Sequence, residues 1–366
     1  MDMGKCTFKA IGLMSGTSMD GIDAAMVDTD GQTVFACGPS LTLPYNAPFR
    51  ARLRAALGKE QETEEIRQLS CDLTDLHAEA VLALCEKAEL AIETIDLIGF
   101  HGHTLMHAPE RRKTWQIGDG ARLARLTGIP VACNFRSADV AAGGQGAPLV
   151  PLFHKALAEA LEKPLAILNI GGVANVTWLG KGPGDILAFD TGPGGALLDD
   201  FIHARTGQPY DADGRMAATG TVDKPLLESL LAHPFLAAPP PKSLDRNSFD
   251  VHATSGLSTE DGAATLTAFT VRSVHESLRF MPQAPKRWLV CGGGRHNTAL
   301  MSGLATILTV PVEPVESVGW NGDALEAQAF AFLAVRTRLG LPLTLPSTTG
   351  VPCPMTGGSI FPARGP

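Results

Sequence analysis

Residues 166–200, AILNIGGVANVTWLGKGPGDILAFDTGPGGALLDD, constrain the fold of this chain more than any other stretch. They read as strand, glycine turn, strand, loop, strand, glycine turn, helix. An apolar run over 166–169 breaks at Gly171 and Gly172, and 173–179 resumes an extended pattern, as in a hairpin with a permissive turn. Glycines at such a tip let backbone N–H groups approach a ligand closely. A third strand over 186–189 is expected to deliver Asp190 at its end, just before Thr191-Gly192-Pro193-Gly194-Gly195 and a helix starting near Ala196. The ends of strands are where open α/β sheets bind ligands. Alone, Asp190 could equally serve as an Asx-type turn residue.

Two further glycine-rich turns that follow apolar strands favour the ligand reading. Residues 9–28 place two extended runs around the polar tip Ser15-Gly16-Thr17-Ser18-Met19-Asp20-Gly21, a hairpin rich in hydroxyls and backbone donors. It is not a P-loop, since the G-x-x-x-x-G-K-[ST] spacing is missing and a strand follows. Later, the strand 288–290 runs into Cys291-Gly292-Gly293-Gly294-Arg295-His296-Asn297, with Asn297 placed to cap the next helix. A triple glycine there lets a flat ring lie against backbone beside positive helix-end charge. The hairpins over 11–27 and 166–179 echo each other about half a chain apart, which predicts two related halves offering turns to one nucleotide.

The 366 residues are enough for two domains with their own cores, and 45% are hydrophobic. No apolar run approaches the roughly 18 residues of a membrane span, and 10–14 is too short for a signal-peptide core, so a cytoplasmic protein is expected. Seven cysteines without a C-x-x-C pair read as free thiols of a reducing compartment. A formal charge of −8 opposes binding to nucleic acid or anionic membranes.

Residues 61–90 read as a packing helix, and 264–280 as another that Pro282 ends. In 97–107, LIGFHGHTLMH, an apolar strand meets three histidines. On a regular strand His101 and His103 share a face, so a metal site with His107 is conceivable; hydrogen bonding to backbone or substrate is the alternative. Arg136 precedes the glycine-rich passage 137–151, read as neither helix nor strand but as a hinge or substrate wall. At a cleft edge Arg136 could grip a carboxylate with two prongs. Residues 207–250 read as loop-rich, with no chemical motif. The helix over 321–336 begins near Asp323 and Glu326, which read either as a capping box or as placing a second carboxylate toward a cleft.

The two strand-turn-strand phosphate loops, the strand-ended aspartate and the late glycine turn resemble the plan of the actin, hexokinase and Hsp70 superfamily. Within it, GLMSGTSMDGID, GFHGHTLMH, QIGDGARLA, FRSADVAAGGQGAPLVP, LNIGGVANVT, FDTGPGGALLD, CGGGRHN and GDALEAQAFA resemble, in order, the motifs of the anhydro-N-acetylmuramic acid kinase family, over residues 10–336. The resemblance implies an α/β, two-lobed actin-like ATPase fold, with duplicated mixed sheets and an interlobe cleft. Lobe I would comprise 1–137 joined by 337–366, and lobe II 138–336. It also implies an ATP- and water-dependent opening of the 1,6-anhydro ring with phosphorylation of O6, as in recycling of bacterial cell wall.

Carried over by residue, Gly16, Thr17, Ser18, Met19, Asp20, Gly21, Ile22 and Asp23 match the ATP-binding motif, with Gly171, Gly172 and Asn175 in the second hairpin and Gly292, Gly293, Gly294 and Asn297 in the late turn. Asp190 matches the catalytic base, and Glu326 is carried over as a second catalytic residue at a position beside the sugar. Arg136 and His103 are further expected sugar contacts. Mg²⁺ would arrive with ATP, with Asp20 as its candidate contact, and the family implies a homodimer. The chain departs from the family pattern at His103 (usually Gln), Asn134 (usually Asp), Gly195 (usually Asn) and 244–247 (usually a TGRE-like run), which bears on substrate fit. Two alternatives compete: a kinase of this fold that phosphorylates a sugar without ring opening, and a metal-dependent hydrolase built on His101, His103 and His107.

Overall fold

The computed structural model describes residues 7–16, 19–244, 248–249 and 254–363. Thr17, Ser18 and positions 245–247 lie outside the described residues, as does Cys6; the six described cysteines are free. The chain divides into one unit of Met1–Ala160 with Ala324–Pro366 and a second of Leu161–Asp323.

In the first unit, β1 (Phe8–Ser15), β2 (Gly21–Thr29) and β3 (Val34–Pro44) form an antiparallel meander. The chain then crosses through the helix Glu64–Lys87 to β4 (Leu97–Ala108), parallel to β1. Thr63 starts that helix, its hydroxyl accepting from the Ile66 N–H at 3.3 Å. After β5 (Lys113–Ile117) and the helix Gly120–Thr127, β6 (Val131–Cys133) adds parallel to β4. In the second unit β7 (Leu165–Ile170), β8 (Val173–Leu179) and β9 (Ile186–Pro193) repeat the meander. There β10 (Trp288–Cys291) lies parallel to β7, and β11 (Val312–Pro314) parallel to β10. A last strand, β12 (Ser359–Phe361), closes the first sheet against β6.

The shared order is therefore β3-β2-β1-β4-β6 in one sheet and β9-β8-β7-β10-β11 in the other. The echo between the two hairpins extends to five strands in each unit. Alternation separates the faces of the second sheet: Ala166, Leu168, Ile170, Ala174, Val176 and Trp178 enter one apolar core with Val271, Val274 and Leu304.

The helix Leu325–Leu339 is built into the first unit, whereas the sequence boundaries assign most of it to lobe II. Gly12 and Gly99 are register partners on β1 and β4. A Cβ on Gly12 would stand 1.7 Å from the Ala327 carbonyl oxygen, and one on Gly99 2.0 Å from that of Phe330. Two bare backbones thus make a groove in which the helix backbone itself sits. Ala327 through Val335 are all buried, with other faces of the helix covered elsewhere, as where Phe332 packs on Phe153. Residues 138–160 also fall in the first unit, so the break comes after Ala160 rather than at 137.

Other departures are local. The 137–151 passage opens with a helical turn, Ser137–Ala141, and 207–250 contains the helices Arg215–Thr219, Lys224–Leu231 and Pro234–Ala237. Among the described residues, no helix is long and apolar enough to cross a membrane.

Candidate functional site

Three glycine turns converge at the end of β7 in the second unit. The Gly195 N–H donates to the Gly171 carbonyl at 2.7 Å, and the Gly194 and Ala196 N–H groups donate to that of Gly172 at 3.0 and 3.2 Å. On the other side Gly292 adopts φ 75°, and a Cβ there would stand 2.3 Å from Asn169 Oδ1 and 2.6 Å from the Ile170 carbonyl oxygen. Only glycine meets both demands. Arg295, buried, braces this turn by donating to the Gly292 carbonyl at 3.0 Å while ion-pairing with Glu316 and Asp323 at 2.9 and 2.8 Å. By contrast, nothing lies within 4 Å of where a Cβ on Gly293 would be, so that backbone is open to a ligand. Asn297 caps the helix Thr298–Leu308 as expected, accepting from the Leu300 N–H at 3.0 Å.

Asp190 lies inside β9 rather than at its end, because the strand runs on through Thr191 to Pro193. Registers place Asn169 opposite Asn175 and Asn175 opposite Asp190, so three polar residues form a row across β7, β8 and β9. Asn175 Oδ1 is buried and has no hydrogen-bond partner among the described residues. A buried amide left so is costly, which fits a ligand contact. Asp190 is 7% exposed. Its N–H donates to the Lys242 carbonyl at 3.0 Å and its Oδ2 accepts from the Leu244 N–H at 2.7 Å. The departure from the family pattern at Leu244 leaves this contact intact, since backbone supplies it.

Position 195 tests the tolerance of the turn. Gly195 has φ −81° and ψ −26°, and a Cβ there would meet nothing closer than 3.4 Å. A Cβ on Gly194 would stand 2.2 Å from the Gly171 carbonyl oxygen. Urea unfolding should therefore show Gly195→Ala within about 1 kcal/mol of the parent and Gly194→Ala destabilised by about 2–3 kcal/mol. Equal effects would mean that the two hairpin tips are not packed as described.

In the first unit, Gly16 accepts from the Met19 N–H at 3.1 Å, and Met19 takes φ 56° with its side chain in the core beside Ile22. These two residues offer backbone, not side chains, to any nucleotide. Asp20 is exposed and accepts from the Gly21 N–H at 3.0 Å, whereas Asp23 is engaged by the Thr42 hydroxyl at 2.6 Å across the β2–β3 pair. Below the tip, Ser15 Oγ lies 2.7 Å from Tyr45 Oη and 2.9 Å from His103 Nδ1. Burial pushes His103 down to about 4, so the ring is neutral at pH 7, and its Nε2 finds no partner among the described residues.

The histidine metal site is not formed. Gly102 takes φ 74°, which breaks the two-residue repeat that would have aligned His101 with His103. His101 Nε2 accepts from Arg136 Nε and Nη2 at 3.1 and 3.0 Å, and its Nδ1 lies 2.9 Å from the Gly102 carbonyl oxygen. Burial first, then the Arg136 guanidinium, holds His101 well below the usual imidazole range. His107 is engaged at both nitrogens, by Thr114 at 3.0 Å and by the Gln145 carbonyl at 2.9 Å. Among the described residues no three His, Cys, Asp or Glu side chains gather as a metal set.

Arg136 also donates to the Gly146 carbonyl at 2.7 Å, so its fork braces the glycine-rich loop from within. Asp139, which the sequence did not single out, completes that brace by accepting from the Gly146 N–H and the Thr349 hydroxyl, each at 2.6 Å. Glu326 stands exposed in the first turn of its helix, which Ala324 starts without a side-chain cap; Asp323 is drawn off by Arg295, so no capping box forms. Asn134 holds φ 61°, a conformation that Asn and Asp adopt more readily than other side-chain-bearing residues.

Two units with one strand order, each turning through glycine at the end of its first strand, make a duplicated α/β protein, and its relatives are kinases. A family model described as anhydro-N-acetylmuramic acid kinase matches residues 8–363, and the chain belongs to that family. It is 56% identical to the anhydro-N-acetylmuramic acid kinase of Rhodospirillum rubrum, over 97% of this chain and 94% of that one. It is also 56% identical to the protein of that name from Acidiphilium cryptum, over 96% and 97% of the two chains. Among solved structures, a ROK family glucokinase from Streptomyces griseus in complex with glucose and AMPPNP is similar at a TM-score of 0.40 and 13% identity, over 89% of this chain and 99% of that one.

Proposed function

We propose that the chain uses ATP and water to open the 1,6-anhydro ring of 1,6-anhydro-N-acetylmuramic acid and to phosphorylate O6, giving N-acetylmuramate 6-phosphate in peptidoglycan recycling. The observation that carries this reading is the Asp190 carboxylate, nearly buried and gripped by backbone, in the same row as Asn175 and in a chain of this family. Asp190 takes a proton from the water whose oxygen bonds to the anomeric carbon. The bond from that carbon to the bridging oxygen breaks, O6 departs with the electron pair and attacks the γ-phosphorus of ATP, and ADP leaves. General base help of this kind contributes typically about 10² to 10⁴ in rate.

Phosphoryl transfer needs mainly alignment and neutralised charge. The phosphate contacts would be the backbone of Gly16 and Met19 through Asp23 with Thr17 and Ser18, and Gly171, Gly172 and Asn175. Gly292, Gly293 and Gly294 would support the adenosine, with Asn297 ordering the helix start behind them. His103, Arg136 and Glu326 would bear on the sugar, the first two by shaping the strand and loop around it. Mg²⁺ carried with ATP supplies charge neutralisation, and the exposed Asp20 is an oxygen donor of the type it takes. Family resemblance further supports a homodimer working in the cytoplasm.

Product analysis with ATP, the anhydro sugar and ¹⁸O-labelled water tests the reading. Expected is a 6-phosphorylated sugar with one solvent oxygen at C1; a phosphorylated product without the label would assign a simple sugar kinase instead.

A further inference from the structure

We propose that Lys242 is a positioning residue for Asp190, its buried ammonium anchoring the 242–244 segment whose backbone orients the carboxylate. The inference rests on the reading of Asp190 as the base. Residue 190 is bound on both sides by this one segment, through its N–H to the Lys242 carbonyl and through Oδ2 to the Leu244 N–H. The segment follows Pro239-Pro240-Pro241 and has no regular secondary structure of its own. Its Lys242 side chain is 8% exposed and is held in turn by the neighbouring chain.

Lys242 Nζ donates to the Phe235 carbonyl at 2.8 Å and to that of Leu236 at 3.3 Å. It also sits 4.5 Å from the ring centre of Phe235, 4.7 Å from that of Phe280 and 5.9 Å from that of Phe189. Phe189 immediately precedes Asp190 on β9, so the cage that holds the ammonium is attached to the strand that carries the base. Cation–π contact and two carbonyl acceptors suit a cation that cannot be exchanged for an apolar group without loss of position.

The arrangement is not one that stability alone selects. Burial, reinforced by Arg279, pushes Lys242 down to about 8 from the ordinary ammonium value, while Asp190 acts the other way. Arg279 itself shares the Leu236 carbonyl and pairs with Glu276 at 3.5 Å. His233, which caps the helix Pro234–Ala237, accepts from the Phe235 N–H at 3.2 Å. A protonated lysine is therefore kept in surroundings that disfavour its charge, where a methionine of similar length would fill the space.

The test combines Lys242→Met and Lys242→Arg with three measurements: melting temperature, kinetics with ATP and the anhydro sugar, and hydrogen exchange at the Leu244 amide. In Lys242→Met the melting temperature is expected to hold or rise and the Leu244 amide to exchange at least tenfold faster. Turnover should fall about 10- to 100-fold with KM for ATP unchanged, the scale of a misplaced catalytic group. Lys242→Arg should restore part of both turnover and protection. Unchanged exchange at Leu244, or unchanged turnover, in Lys242→Met overturns the proposal, and so does a loss of turnover matched by a loss of folded protein in both variants. Should the parent enzyme fail to turn over the anhydro sugar, the proposed function fails by that result alone, and the exchange measurement still decides whether Lys242 holds the segment against Asp190.

Discussion

Asp190→Asn is expected to bind ATP and the anhydro sugar as the parent does while kcat falls by about 10²- to 10⁴-fold. The amide oxygen can still accept from the Leu244 N–H, and the residue keeps its place opposite Asn175, so the substitution removes proton affinity and little else. Binding constants from titration calorimetry and single-turnover rates separate the two effects. Near-normal turnover would take the base role away from Asp190. Loss of sugar binding together with turnover would point instead to a purely positioning carboxylate.

The second large effect is on folding. Gly12→Ala places a methyl group 1.7 Å from the Ala327 carbonyl oxygen and 2.5 Å from the Ala331 backbone nitrogen. Neither is the end of a flexible side chain, so relief requires lifting the helix Leu325–Leu339 off β1. A loss on the order of 4 kcal/mol follows, enough to lower the melting temperature by roughly 10 °C in a unit of this size. Gly99→Ala should act alike, since its Cβ would meet the Phe330 carbonyl oxygen. Circular dichroism melts of the two variants check this; a parent-like melt for either would show that the helix is not seated in the glycine groove.

What could be read from the sequence depended on how local the cause was. The hairpin at Gly171-Gly172, the cap at Asn297 and the helix beginning at Ala196 each follow from residues within a few positions, and each stands where the pattern puts it. The two-residue repeat misled at His101 and His103 because one left-handed glycine between them resets it, and Arg136 then claims the first ring. Asp323 and Glu326 have the spacing of a capping box, yet an arginine 28 positions earlier takes the aspartate. Lys242 and Asp139 gave no signal at all: their partners are carbonyls, rings and a threonine brought together only by the tertiary fold. The domain boundary was misplaced for a similar reason, since nothing near 325–339 announces that two glycines more than 200 residues upstream have cleared a seat for it.

That seat has a consequence for how the protein is made. Leu161–Asp323 emerges from the ribosome as an uninterrupted stretch, and the helix Leu325–Leu339 follows it, so the bare glycine backbones of β1 and β4 are covered only after that whole unit has been made. During that interval the sheet of β1 and β4 lacks the backbone that fills its glycine groove, and a chaperone that shields this face would have its work there.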